Sequence, residues 1–162
     1  MNLKKTIGAA AVTAGAAALT LPLAGPLAAP ALAASAPVSW EDGNSHFDRT
    51  VSDETPSVGD TITVTTQFQR KGSDEYIYNY KDATNACLTY VSGSAKWEGG
   101  AIGSVDASKP GEVRVEAPSS IAWRVATAGV VWNWGTKRSI SIQYKVTPDC
   151  ATGNGMVTTM YY

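Results

Sequence analysis

Apolar and polar residues alternate through most of the chain, and this pattern predicts β-strands. In the clearest stretch, Ser57–Phe68, Ile62 and Val64 share one face while threonines occupy the other. Ser139–Val146 separates its apolar and polar residues in the same way. Beyond the N-terminal region no segment has the apolar period of about 3.6 residues that marks a helix. The pattern therefore predicts an all-β protein.

Further short stretches carry β-branched or aromatic residues and are bounded by Gly, Pro, Asn or Ser turns, which predicts more strands. These stretches are Tyr76–Tyr80, Cys87–Val91, Ala95–Glu98, Val113–Glu116, Ile121–Val125, Val130–Trp134 and Met156–Tyr162. Their spacing of about ten residues is typical of an antiparallel β-sandwich, here of about seven to nine strands. We assign this domain to residues 57–162. Residues 34–56 are polar and fit either a lead-in or a first strand.

The first 33 residues have the order of a secretory signal peptide. Lys4 and Lys5 precede an Ala- and Leu-rich apolar run, and the run ends in small residues that fit cleavage after Ala33. Prolines and glycines interrupt the run, which argues against a stable membrane-spanning helix. We therefore expect residues 1–33 to be removed and the product to be exported, with no membrane span after processing.

Charge narrows the range of partners. Without Lys4 and Lys5 the chain keeps 11 basic and 14 acidic residues, a net charge of −3. No basic block is present in the sequence, so we expect no nucleic-acid partner. A cell-envelope glycan or a surface protein remains open as a partner.

Two cysteines, Cys87 and Cys150, follow the signal. In an exported protein an even pair most simply forms one disulfide, with a metal site or a reactive thiol as alternatives. A metal site needs further Cys or His ligands, and the sequence holds a single histidine, His46. We expect the disulfide, and no metal or other cofactor.

Four segments in one order resemble the DUF11-type Ig-like domain of bacterial secreted and surface proteins. They are Val58–Val64, Cys87–Ser94, Val130–Gly135 and Ser139–Val146. The resemblance implies a seven-stranded Ig-like sandwich that serves as a stalk or surface module and carries no catalytic residues. It also aligns Trp132 with a family tryptophan expected in the core. The chain departs from the family in its single copy and in its cysteine pair.

Aromatic residues are the sharpest functional lead. Tyr76, Tyr78 and Tyr80 alternate, so in a regular strand all three would share one face, with Ile77 pointing inward. A row of exposed aromatic rings can stack on sugars or seat a partner protein. The alternative is core packing, which we expect for Trp123 and Trp132.

Catalytic chemistry finds little support in the sequence. A nucleophile needs a neighbouring base, and His46 lies in a polar stretch where an exposed loop is expected. Acidic residues that could form a carboxylate pair or bind Ca²⁺ occupy turn-like, hydrophilic segments: Asp48, Asp53, Glu54, Asp60, Asp74 and Glu75.

We therefore expect a non-enzymatic module of the bacterial cell envelope or medium, with a structural, adhesion or binding role. A carbohydrate-binding module that uses the tyrosine row is the alternative, and a secreted hydrolase is a more remote one.

Overall fold

The computed structural model describes residues 36–98, 100–119, 121–150 and 159–162. The predicted signal peptide, residues 1–33, lies outside the described residues, as does the start of the predicted last strand at Met156. The fold of the described chain is all-β and antiparallel, which confirms the predicted fold class. No helix in these four ranges has the length and apolar character needed to cross a membrane.

Twelve strands form in the described residues, more than the seven to nine predicted. The polar lead-in forms two strands, the predicted strand Tyr76–Tyr80 is split in two, and one strand at residues 104–106 was not predicted. The twelve strands are β1 (Val38–Asp42), β2 (Ser45–Val51), β3 (Thr61–Arg70), β4 (Glu75–Ile77), β5 (Asn79–Ala83), β6 (Leu88–Tyr90), β7 (Lys96–Trp97), β8 (Ser104–Asp106), β9 (Glu112–Glu116), β10 (Trp123–Val125), β11 (Arg138–Val146) and β12 (Thr159–Tyr161).

The strands form two large sheets and one small one. The first large sheet has the order β1-β2-β3-β11-β6, and β7 also pairs with β11. The second has the order β12-β5-β9-β8, and β10 pairs with β4 in the small sheet. The strands of the described residues and the disulfide lie between Val38 and Tyr161, downstream of the predicted signal.

The alternating faces predicted from sequence form the core. Ile62 and Val64 of β3 and Ile140 and Ile142 of β11 are all buried. On the second large sheet, residues of β5, β9 and β12 complete the apolar layer. The small sheet contributes Trp123, whose indole stacks on Trp97 at 5.1 Å between ring centroids. Trp123 is therefore a core residue, as predicted.

The tyrosine row is broken because the chain changes sheet at Tyr78. In β4, Ile77 points inward as predicted and Tyr76 points outward. In β5, regular alternation would turn Asn79 inward, but Tyr80, one residue later, points inward and Asn79 points outward. One residue of irregular backbone at Tyr78 shifts the alternation by one position and reverses the faces.

Candidate functional surface

Tyr76 and Tyr78 are on the surface, with exposed fractions of 55% and 70%, whereas Tyr80 is fully buried. The prediction of a single row of three exposed rings is therefore wrong for Tyr80. Tyr76 lies on the outer face of the small sheet, directly opposite Arg124 of β10. Tyr78 follows the end of β4, and its carbonyl accepts a hydrogen bond from the Ala117 amide at 2.9 Å. Two exposed phenol rings remain as a candidate binding surface.

The Tyr80 hydroxyl instead belongs to a buried polar network that the sequence did not reveal. The Arg49 guanidinium donates from Nη1 to Tyr80 Oη at 2.6 Å and to Thr66 Oγ1 at 2.7 Å. Its Nη2 atom donates to Asp82 Oδ1 at 2.5 Å. The Tyr144 hydroxyl donates to the other carboxylate oxygen of Asp82 at 2.8 Å. All five side chains are buried, so this polar network lies in the interior of the sandwich.

The network joins the two large sheets. Arg49, Thr66 and Tyr144 come from the first sheet, while Tyr80 and Asp82 come from the second. A buried ion pair requires such additional hydrogen bonds to offset the loss of water. No member is open to solvent, and the arrangement links the two sheets through side-chain hydrogen bonds.

Burial and charge shape the proton equilibria of this network. Burial acts to lower the pKa of Arg49, but the Asp82 carboxylate and the Tyr80 hydroxyl raise it overall, so the guanidinium stays charged. Burial raises the pKa of Tyr80 to about 12 although Arg49 acts to lower it. Burial also raises the pKa of Tyr144, and the neighbouring Asp82 raises it further. Both hydroxyls therefore remain protonated at physiological pH.

Trp132 is the clearest departure from expectation. It is 82% exposed, so the prediction of a core tryptophan is wrong. The predicted strand Val130–Trp134 is instead part of the β10–β11 loop, residues 126–137. A turn is closed there by the hydrogen bond from Asn133 N to Val130 O at 3.0 Å. The loop presents Val130, Val131 and Trp132 to solvent, a cluster that we call the loop tip.

Asp74 fixes the first half of this loop to the small sheet. Its carboxylate accepts hydrogen bonds from Arg124 Nε at 2.7 Å and from the Thr127 amide at 2.9 Å. The Thr127 amide and the Arg124 guanidinium hold the pKa of Asp74 below its ordinary value. Asp74 therefore orients the loop beside the exposed face that carries Tyr76.

His46 lies on β2, so the expectation of an exposed loop histidine is wrong. Its Nε2 atom is 3.1 Å from Asp48 Oδ1, and its ring lies 5.3 Å from the Trp134 ring. The nearby Ser39 hydroxyl donates to the same Asp48 oxygen at 2.6 Å. A nucleophilic serine would donate its proton to the histidine. Here the serine donates to the carboxylate, so these three residues do not have the geometry of a catalytic triad.

Asp48 also holds a cation. Lys137 Nζ lies 2.7 Å from Asp48 Oδ2. Burial acts to raise the pKa of Asp48, but the hydrogen bonds from Lys137 and Ser39 outweigh it and hold that pKa below its ordinary value. Asp48 thus stays ionised and links β1, β2 and the start of β11, which is a structural role.

Three of the remaining candidate acidic residues take part in turns or ion pairs, and Glu54 is exposed. Asp53 and Asp60 each accept a hydrogen bond from a nearby backbone amide, of Thr55 at 2.8 Å and of Ser57 at 2.7 Å. Glu75 pairs with Arg70 at 3.4 Å. Across the described ranges, no group of three or more His, Cys, Asp or Glu side chains is arranged to hold a metal ion.

Cys87 and Cys150 form the predicted disulfide. The bond lies beside the β6–β11 ladder, where the Thr147 amide donates to the Cys87 carbonyl at 3.1 Å. It therefore connects the residue before β6 to the turn that follows β11, its neighbour in the same sheet. A structural disulfide fits an extracellular protein.

The fold and these side-chain clusters define the class of the protein as a disulfide-bonded antiparallel β-sandwich with exposed aromatic residues. No protein-family model matches the chain, and neither a curated protein nor a solved structure does.

Proposed function

We propose that this chain is an exported, non-enzymatic β-sandwich module with a structural or binding role in the bacterial cell envelope or medium. The observation that carries the proposal is the exposure of Tyr76, Tyr78 and Trp132 on one small domain. Exposing large aromatic side chains to water costs free energy, and exposed clusters of them mark interaction sites. The disulfide supports a location outside the cytoplasm.

The engagement of the reactive side chains supports a role without catalysis. Ser39 and His46 both contact Asp48, and the Arg49–Asp82 pair is enclosed by the two large sheets. Catalysis needs a nucleophile or a proton donor that can reach a bound substrate. These groups are instead used to hold strands together.

Carbohydrate binding is the second candidate function, and the exposure of Tyr76 and Tyr78 favours it. Phenol rings offer flat apolar faces for sugar rings, and their hydroxyls can form hydrogen bonds at the same time. The platform would consist of these two tyrosines without Tyr80.

A retention experiment tests the binding role and separates its two forms. Purified protein spanning Ala34 to Tyr162 is mixed with isolated cell-wall polysaccharide and, separately, with immobilised envelope proteins. We expect retention on at least one, and for the polysaccharide we expect Tyr78→Ala to weaken binding about five- to tenfold through loss of ring stacking. Val58→Ala, which shortens an exposed apolar side chain in another turn, is the control.

The outcomes differ clearly. Polysaccharide retention that Tyr78→Ala lowers and Val58→Ala leaves unchanged supports the carbohydrate-binding form. Retention that the tyrosine substitution does not change contradicts that form. Retention on neither material contradicts both the carbohydrate-binding and the protein-binding form of the role.

Export and family are part of the same proposal. The sequence supports removal of residues 1–33, and N-terminal sequencing of protein from the culture medium should begin at Ala34. A product that stays in the cell and keeps Met1 would contradict export. We also propose that this chain is related to the DUF11-type Ig-like domains, and its antiparallel sandwich supports that proposal.

A further inference from the structure

We infer that the loop tip, Val130–Trp132, is a contact site for the surface of an anionic lipid bilayer. This inference rests on the proposed binding role and names one partner and one surface for it. The loop tip is a different part of the molecule from Tyr78, so lipid binding by the loop tip and carbohydrate binding by Tyr78 can be contradicted separately.

The first argument is the exposure of three consecutive large apolar residues. Val130 is 56% exposed, Val131 is 60% exposed and Trp132 is 82% exposed. Single exposed apolar residues are ordinary, but a contiguous group at a loop tip marks an interaction site. Tryptophan is also the side chain most enriched at membrane interfaces, where an apolar ring meets polar headgroups.

The second argument is the rigid base of the loop. Gly135 lies against the other end of the loop so closely that a Cβ atom there would be 1.9 Å from the Ala126 carbonyl oxygen. Gly135 also donates its amide to the Arg70 carbonyl at 2.8 Å and accepts from Gln69 Nε2 at 2.9 Å. Together with the Asp74 contact to Thr127, these bonds close the loop at its base. The tip is therefore held outward and binds without ordering a flexible segment first.

The third argument is charge. Residues 126–138 hold two basic residues and no acidic residue, although the chain as a whole is acidic. Lys137 is paired with Asp48 at 2.7 Å, so Arg138, at the start of β11, supplies the local positive charge. Basic residues beside an apolar insertion element are attracted to anionic headgroups. An acidic side chain in this loop would be repelled by the anionic headgroups.

The shape and size of the tip favour a lipid surface over the other partner classes. Two of its three side chains are aliphatic and give no flat face for a sugar ring. A standard protein interface buries about 800 Å² per partner, more than three side chains can present. A bilayer, in contrast, accommodates a few inserted side chains of any shape.

Vesicle flotation tests the inference. It uses the protein spanning Ala34 to Tyr162, because the apolar predicted signal peptide would itself bind lipid. Vesicles of phosphatidylcholine alone and of phosphatidylcholine with phosphatidylglycerol are compared. We expect binding to the anionic vesicles, with a blue shift of tryptophan fluorescence. Trp132→Ala should lower that binding about tenfold and reduce the blue shift.

A matched pair of valine substitutions provides the control. Val131→Asp places a charge in the tip, and Val58→Asp places the same charge at a valine of similar exposure, 54%. Gly59, next to Val58, bonds to Val146 at the far end of β11, roughly 27 Å along the strand from the loop. We expect Val131→Asp to abolish binding and Val58→Asp to leave it unchanged.

Three results would overturn the inference: no binding of the wild-type protein to anionic vesicles, equal binding to both vesicle types, or equal effects of the two valine substitutions. Polysaccharide retention that persists alongside any of these would leave the proposed binding role intact.

Discussion

Arg49 and Asp82 meet where the two large sheets face each other. Arg49 bonds to Thr66 of its own sheet and to Tyr80 and Asp82 of the other, and Asp82 accepts from Arg49 and Tyr144 across the interface. Replacing one charged partner leaves the other buried without compensation, which is more destabilising than the net contribution of the pair suggests. At the scale of single residues, this network is where the fold depends most on particular side chains.

Asp82→Asn tests that dependence. We expect it to lower the free energy of unfolding by about 3–5 kcal/mol, because Arg49 keeps its charge and loses its carboxylate. The double substitution Arg49→Met with Asp82→Leu should be less destabilising than Asp82→Asn, since no buried charge remains. Guanidinium chloride unfolding measures both, with Glu98→Gln on the surface as the control. A change in Asp82→Asn as small as that in the control would contradict a structural role for the network.

Asp48 predicts how stability depends on pH. Its folded-state pKa lies below the ordinary 3.8, so its ionised form stabilises the fold above that pH, and this contribution is lost as the pH falls through the folded-state pKa. We expect unfolding free energies measured between about pH 5 and pH 2 to fall less steeply in Asp48→Asn than in the wild type. Glu54→Gln, at an exposed position, should keep the wild-type slope. Equal slopes for Asp48→Asn and the wild type would contradict the assigned contacts with Lys137 and Ser39.

The elements differ in how well the sequence predicted them, for physical reasons. The alternation in β3 and β11 predicted their buried faces because both strands pack one side against a core. The β-branched and aromatic residues of Val130–Trp134 also indicated a strand, but Val130, Val131 and Trp132 have no layer to cover and lie exposed in a loop.

Two further features needed three-dimensional information. The reversal of faces between β4 and β5 depends on a single irregular residue, Tyr78, and leaves no local mark in the sequence. Arg49 shows a signal only in retrospect: it alternates with Phe47 and Val51, so its position predicts a buried face while its charge predicts an exposed one. Its partner Asp82 is 33 residues away, and only the fold brings the two together.

Gly135 tests the closed base of the β10–β11 loop. Gly135→Ala forces a Cβ atom against the Ala126 carbonyl, and we expect it to reduce stability by about 1–3 kcal/mol and to disturb the loop. Gly129→Ala is the matched comparison within the loop, because its Cβ meets open space and only its positive φ causes strain, about 1 kcal/mol. Urea unfolding of both proteins provides the measurement. A smaller loss for Gly135→Ala than for Gly129→Ala would show that the loop is not closed at this point.

At the scale of the whole molecule, the disulfide constrains the unfolded chain more than it shapes the folded one. Cys87 and Cys150 are 63 residues apart in sequence but join the residue before β6 to the turn that follows β11. Closing a loop of that length stabilises the fold by about 4 kcal/mol in the chain-entropy view. We expect the double substitution Cys87→Ser with Cys150→Ser to lower the unfolding free energy by up to that amount. If reduction of the wild-type protein left its thermal midpoint unchanged, this role would be excluded.

The central claim is that the exposed aromatic and apolar residues bind, while the buried and bridging polar clusters support the fold. Backbone NMR spectra of the protein spanning Ala34 to Tyr162, recorded with cell-wall glycan fragments and with anionic bicelles, test it most directly. The account predicts that the amide signals that shift belong to residues 76–78, to residues 129–134, or to both. Shifts centred on Ser39, His46 and Asp48, or no shifts with either addition, would contradict it.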